Sequence, residues 1–156
     1  GYLPGSIGRV AELHGEYYSR HWGFGAFFEA KVAAGLAEFI NRYDEKRDGF
    51  WTVSVDGRIE GSIAVDGIDA AGKGAHLRWF IIAENFQQNG MGTKLFDAAI
   101  GYCRSRDYRR VYLWTFEGLT IAGGLYRKYG FELVEQHPGD SWGTRVNEQR
   151  FELRLG

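Results

Sequence analysis

Residues 76–116 switch hydrophobic period twice, and few local arrangements accommodate that. His76–Ile82 reads as a buried strand. A polar turn follows, with glycines at 90 and 92, and after Thr93 the apolar residues fall at Leu95, Phe96, Ala99, Tyr102 and Cys103, a helical spacing. Arg110-Val-Tyr-Leu-Trp-Thr-Phe116 is again a strand. A strand–helix–strand unit of this length makes a parallel pair with a right-handed crossover. In an open sheet the ligand sits beyond the carboxyl ends of such strands, which is where the glycine turn lies. A glycine-bearing loop entering a helix presents unpaired N–H groups at the positive end of the helix dipole, an arrangement that attracts a phosphate or pyrophosphate. Glycine also lets a bulky ligand approach the main chain where a Cβ would obstruct it.

The remaining segments fit around this unit. Ser6 is placed to cap a helix with apolar positions Ile7, Val10, Leu13, Tyr17 and Tyr18. His14 and His21 beside that stripe read as structural. An aromatic, glycine-punctuated link, His21–Phe28, leads to a second helix with Phe28, Val32, Leu36, Phe39 and Ile40 on one face. The charged run Arg42–Asp48 reads as a solvated turn. Phe50–Val55 and Arg58–Val65 flank Asp56-Gly57 and predict a hairpin. Gly67–Gly74 is a polar connection. Ile121–Tyr129 is a short helix stopped by Gly130. Phe131–Val134 and Gln149–Leu155 are closing strands, and Pro138–Gly143 is a loop that either covers a site or simply turns. The predicted fold is a mixed α/β (α+β) domain.

The 156 residues suit one domain spanning 1–156. Aromatic residues are plentiful, with five Trp, nine Tyr and eleven Phe, while the formal net charge of -1 implies no polyanion partner and disfavours direct nucleic-acid binding. The single cysteine, Cys103, lies on the helical apolar face and reads as a packed thiol. No apolar run suits a membrane span and no signal-peptide pattern opens the chain, so the expected location is a reducing cytoplasm. No metal is expected. The chain opens on Gly1 rather than methionine, which leaves room for an upstream domain.

Three anion-loop patterns compete for residues 87–94. Gly92-Thr-Lys94 has the wrong order for a Walker A ending, and Gly90-x-Gly92 lacks the third glycine of a dinucleotide fingerprint. The third pattern, Gln/Arg-x-x-Gly-x-Gly/Ala, is matched by Gln87-Gln-Asn-Gly90-Met-Gly92. Some thirty residues on, Ala122-Gly-Gly-Leu-Tyr126-Arg-Lys-Tyr-Gly130-Phe131 has the form Ala-x-x-x-Tyr-x-x-x-Gly-Phe. With these two stretches in this order, the chain resembles the GNAT superfamily of N-acetyltransferases over nearly its whole length. The resemblance implies a mostly antiparallel sheet of about six to seven strands flanked by helices, with one parallel pair at the cofactor cleft.

It also implies acetyl-CoA as donor and a primary amine, on a small molecule or a peptide, as acceptor. Gln87, Gln88, Asn89, Gly90, Met91, Gly92 and Thr93 would hold the pyrophosphate. The main chain of Phe80, Ile81 and Ile82 would pair with pantetheine, beside a gap opened toward Val111–Thr115 by a β-bulge. An alkylammonium titrates at about 10.4, so the acceptor needs a base or desolvation at neutral pH. A backbone N–H near Ile82 would receive the oxyanion. Tyr126 stands where the family keeps the general acid for the departing thiolate. His76 occupies a position where some members carry a glutamate base, with Glu117 and a water relay as alternatives. Tyr17, Tyr18, Trp22 and Phe28 fall in the region that shapes the acceptor pocket, although core packing also accounts for such residues. Glu84 and Leu119 depart from the family's Pro and Asn.

Trp114-Thr115, and Pro4-Gly-Ser-Ile-Gly8 followed by His14-Gly-x-Tyr17, are similar to the acetyltransferase halves of bacterial proteins that carry a MarR-type DNA-binding domain upstream. A second functional class therefore stays open, an acetyl-CoA- or CoA-sensing domain with little turnover. The final strand, read as exposed, would offer an edge for pairing into a homodimer.

Overall fold

A computed structural model describes residues 1–156. In chain order the elements are α1 (Ser6–Trp22), α2 (Ala26–Asn41), β1 (Gly49–Val55), β2 (Arg58–Asp66) and β3 (Ala75–Ile82), then α3 (Met91–Ser105), β4 (Arg110–Phe116), α4 (Thr120–Lys128), β5 (Glu132–Gly139) and β6 (Val146–Arg154). A short 3-10 turn, Glu84–Phe86, precedes the glycine loop. The six strands form one mixed sheet in the order β1-β2-β3-β4-β6-β5, with every pair antiparallel except β3–β4. This is the mixed, mostly antiparallel architecture the sequence predicts.

Helices cover both faces because each carries one apolar stripe. Val10 and Leu13 of α1, with Phe28, Val32, Leu36 and Phe39 of α2, pack on one face against Ala64, Ile81 and Phe116. Leu95, Phe96, Ala99, Ile100 and Cys103 of α3, with Tyr126 of α4, pack on the other against Ile63, Val65, Leu113 and Phe151. Removing such apolar area from water is the main drive for the assembly. Asp56 and Gly57 both take positive φ (51 and 79), the turn that matches strand twist in a two-residue hairpin.

The parallel pair is short. Ala75 pairs with Val111 and His76 with Tyr112, and no register continues beyond them. The cause lies on the opposite side of β3. There Ser62 pairs with Ile81 but Ala64 pairs with Arg78, so one residue of β2 opposes two of β3. Trp79 takes a φ of 50, and its carbonyl accepts a 2.7 Å hydrogen bond from the Ser62 hydroxyl. This is a β-bulge, which bends its strand. It turns the carboxyl half of β3 away from β4 and leaves a gap between them.

Several local expectations need correction. Gly5, not Ser6, caps α1; the Ser6 hydroxyl instead donates to the Leu3 carbonyl and is buried. The Arg42–Asp48 run is not simply solvated. Asp48 is buried and accepts from the backbone N–H groups of Gly67 (2.8 Å) and Asp44 (3.0 Å), tying the polar connection to the sheet. The strand expected at 131–134 continues to Gly139. Most consequentially, the last strand is interior: β6 is paired with β4 on one side and β5 on the other. A second copy cannot add along it, because its backbone groups are already used. The free edges belong to β1 and β5.

Candidate active site

Two cavities meet where β3 and β4 part. The first, of about 630 Å³, lies between the end of α1, the glycine loop and α4. The second, of about 520 Å³, lies under α1 and α2 against β3, β4 and β6. Tyr18, Phe80 and Tyr126 line both.

The glycine loop forms one wall of the first cavity. Gln88 and Gly90 take positive φ (65 and 88), which folds the chain back before α3 begins. Nothing lies within 4 Å of a Cβ built on Gly90, so its backbone angle, rather than crowding, calls for glycine. A Cβ on Gly92 would stand 3.3 Å from the Phe80 ring. The Asn89 side chain accepts from the Met91 N–H (3.2 Å), and Gln87 donates to the Ile82 carbonyl (3.3 Å), fixing the loop to β3. The backbone N–H groups of Gln88, Asn89, Gly90, Gly92 and Thr93 make no hydrogen bond within the protein. They lie at the N-terminus of α3, the positive end of its dipole.

Phe80, Ile81 and Ile82 line the first cavity with Gln87, Gln88, Gly90, Gly92 and Thr93. Asn89 and Met91 do not. The Asn89 side chain holds the Met91 N–H instead, and the Met91 side chain packs into the core beneath α3. Tyr17 and Trp22 face the first cavity, Phe28 the second, and Tyr18 both. The four aromatics proposed from sequence for one pocket are therefore divided between two.

Tyr126 is 7% exposed, with its ring against Phe96, Phe131 and Phe151. Burial pushes its phenol upward, opposed in part by the neighbouring Thr115 side chain, so the group stays protonated across the physiological range. Burial likewise raises Tyr18.

His76 faces the second cavity, stacked on Tyr112 at 4.4 Å. Burial, with the positive charge of Arg78 next, pushes it down to about 3, so it is a neutral, weakly basic imidazole at pH 7. Glu117 lies outside both cavities; it is exposed and accepts from the Asn147 side chain at 2.8 Å. Leu119 lines the first cavity and brings no polar group to it. Glu84 pairs with Arg20 and His21, fastening the approach to the loop onto α1.

Two polar residues facing the second cavity are not among the site residues expected from the sequence, which reads His14 as structural. His14, 6% exposed, lies close to the Val10 carbonyl (2.8 Å), which requires Nδ1–H as donor and leaves Nε2 as a lone pair; burial pushes the ring down to about 4. Glu148, 4% exposed, accepts from the Ser141 N–H (2.8 Å) and hydroxyl (2.9 Å). The i−4 spacing of Val10 and His14 is a signal for the first. For the second there is none, since Asn147-Glu-Gln-Arg150 reads as a polar strand.

A parted mixed sheet with a loop of unpaired N–H groups at a helix N-terminus and a buried phenol at the parting defines a class of cofactor-cleft proteins. Within that class, a sequence model of the acetyltransferase (GNAT) family matches residues 8–131, and the chain belongs to this family. It is 30% identical over 128 residues to the uncharacterized N-acetyltransferase MJ1207 of Methanocaldococcus jannaschii, covering 76% of this chain and 54% of that protein. Over 83 residues it is 29% identical to camello of Xenopus tropicalis, covering 53% of this chain and 38% of that one. The chain thus spans about half the length of the curated relatives it matches. An acetyltransferase from Streptococcus agalactiae shares the fold, with a TM-score of 0.75 at 19% identity over 99% of this chain and 94% of that one. So does yncA from Salmonella typhimurium, solved with its cofactor acetyl-CoA, at 0.74 and 15% over 99% and 91%.

Proposed function

We propose that this chain moves an acetyl group from acetyl-CoA to a primary amine by direct attack while both are bound. The observation that carries the reading is the meeting of two cavities at Tyr126, in the gap the Trp79 bulge opens between β3 and β4. The chain has the means to hold the donor. The five unpaired N–H groups of residues 88–93 suit a pyrophosphate, and the stretch of β3 beyond His76 has no β4 partner and is free to pair with an extended amide chain. Acetyl-CoA supplies an activated acyl thioester; every other task falls to the protein.

The second cavity admits the amine. Its aromatic walls strip water from the ammonium and so lower the cost of the neutral form that attacks. His76 and His14, both neutral at pH 7, accept hydrogen bonds from the nitrogen and pass its proton toward solvent, as weak bases relay rather than store it. A main-chain N–H near Ile82 faces the oxygen that gathers negative charge. As the new N–C bond forms and the C–S bond breaks, Tyr126 gives its proton to the departing sulfur; the ammonium's first proton has already gone to solvent, and the second, shed as the nitrogen becomes an amide, restores the phenol. The products are the N-acetyl amine and the free thiol.

The test is thiol release from acetyl-CoA with a panel of amines, beside a thermal-shift measurement of cofactor binding. Release that requires an amine supports transfer. Binding without release across the panel favours the sensing alternative, in which an attached DNA-binding domain of the MarR type would read the ligand. Leu119, which places no amide in the first cavity, is the feature that speaks for that alternative. Neither binding nor release contradicts both.

A further inference from the structure

Glu148 is a buried carboxylate without a counter-ion. Its hydrogen-bond partners are the N–H and hydroxyl of Ser141, both uncharged, and together they use only part of its acceptor capacity. Charges this deeply buried are ordinarily paired. No basic side chain of the cavity forms an ion pair with Glu148: Arg78 bonds Asp66 at 3.0 Å and lies over the Trp79 ring at 4.0 Å, the exposed Lys31 reaches the Ser141 carbonyl, and His137, across from Glu148 in the β5–β6 pairing, lies 3.8 Å from Glu135. The cavity therefore presents a carboxylate without an ion-pair partner at one end.

The position of that end matters. Glu148 sits directly opposite Phe116 in the β4–β6 pairing, so it shares the aromatic face formed by Phe116 and Trp142. Neighbouring strands lie about 4.8 Å apart, and β6 is one strand beyond β4, so Glu148 stands roughly 7–10 Å from the middle of the β3–β4 gap. That is too far to act on the nitrogen being acetylated. It is within reach of a second group on the same molecule, lying across an apolar floor.

We propose that the acceptor is a diamine-like molecule, whose reacting amine enters the gap while a second, cationic nitrogen, carried on an aromatic or apolar spacer, binds Glu148. This rests on the transfer reading above and names the substrate class of the same site. Glu148 acts as a specificity-determining residue and takes no part in bond making. The connection between β5 and β6 gains a purpose as well, because Ser141 orients the carboxylate and Trp142 completes the floor.

The experiment compares para-xylylenediamine with para-methylbenzylamine, which has the same shape and lacks the second nitrogen. Binding to the CoA-loaded protein is measured by calorimetry, which needs no turnover, and transfer by thiol release. The wild type is expected to bind the diamine about 10- to 100-fold more tightly, the range of a charge-assisted hydrogen bond. Glu148→Gln is expected to lose that preference while keeping its affinity for the monoamine, with the change in KM rather than kcat. Glu148→Asp withdraws the carboxylate and is expected to shift preference to a longer spacer, which keeps the proposal testable if the Gln variant folds poorly. Equal binding of the two amines by the wild type, or a preference that survives Glu148→Gln, overturns the proposal. Selective binding without thiol release would uphold this inference and fail the transfer reading, so the two failures are distinguishable.

Discussion

Two imidazoles, His14 and His76, are held far below their ordinary titration range by burial, and this has a consequence for stability. Each is neutral in the folded protein at pH 7 but protonates near 6.5 once unfolded. Between about pH 6.5 and 4 the unfolded chain therefore binds more protons, and stability falls as the pH drops through that window. His14 alone would contribute a loss on the order of 3 kcal/mol by the bottom of the window. Urea melts at stepped pH should show the midpoint falling across it, and less steeply in His14→Gln than in the wild type. A midpoint flat from neutral pH to about 4.5 would contradict the buried, neutral assignment. At this scale the sequence was unevenly legible. Tyr126 was singled out because a spaced motif surrounds it. Glu148 was not, because inward-facing Glu148 and outward-facing Gln149 differ only in which face of the strand the pairing gives them.

Single elements decide whether a gap exists at all. The helices, the hairpin and the strand–helix–strand unit could be read from their periods, because amphipathic spacing is a local property. The bulge could not. It depends on how Ser62 and Ala64 align with Ile81 and Arg78, a pairing between segments with no mark in either. The same reason hid the place of β6, whose insertion between β4 and β5 closes the edge that the sequence left open. The Ser62 hydroxyl holds the Trp79 carbonyl at the bulge, so Ser62→Ala should cost about 1–3 kcal/mol by leaving that carbonyl without its partner. The variant should also lose kcat as β3 relaxes toward β4. Thermal melts and steady-state kinetics on the same preparation check both, and unchanged kcat would remove the bulge from the explanation of the gap.

Across the whole molecule, two helical layers on a parted sheet give two approaches to one phenol. On the proposed reading donor and acceptor enter by separate cavities, so neither would have to leave before the other binds. Cys103, the one thiol, is fully buried in the core and lines neither cavity, and burial holds it up at about 12, which leaves it unsuited to carry an acyl group. Initial-rate plots against one substrate at fixed levels of the other should therefore intersect. Parallel lines would point to a covalent acyl-enzyme and contradict direct transfer. The most direct measurement is formation of the N-acetyl product, followed by mass spectrometry, in the wild type and in Tyr126→Phe. The substitution keeps the buried ring and removes only the hydroxyl, so the fold should melt within about 1–2 kcal/mol of the wild type. Loss of a general acid should lower kcat by about 100-fold or more, with acetyl-CoA still bound. An amine acetylated as fast by Tyr126→Phe as by the wild type would show that the phenol at the meeting of the two cavities is not where the reaction is completed.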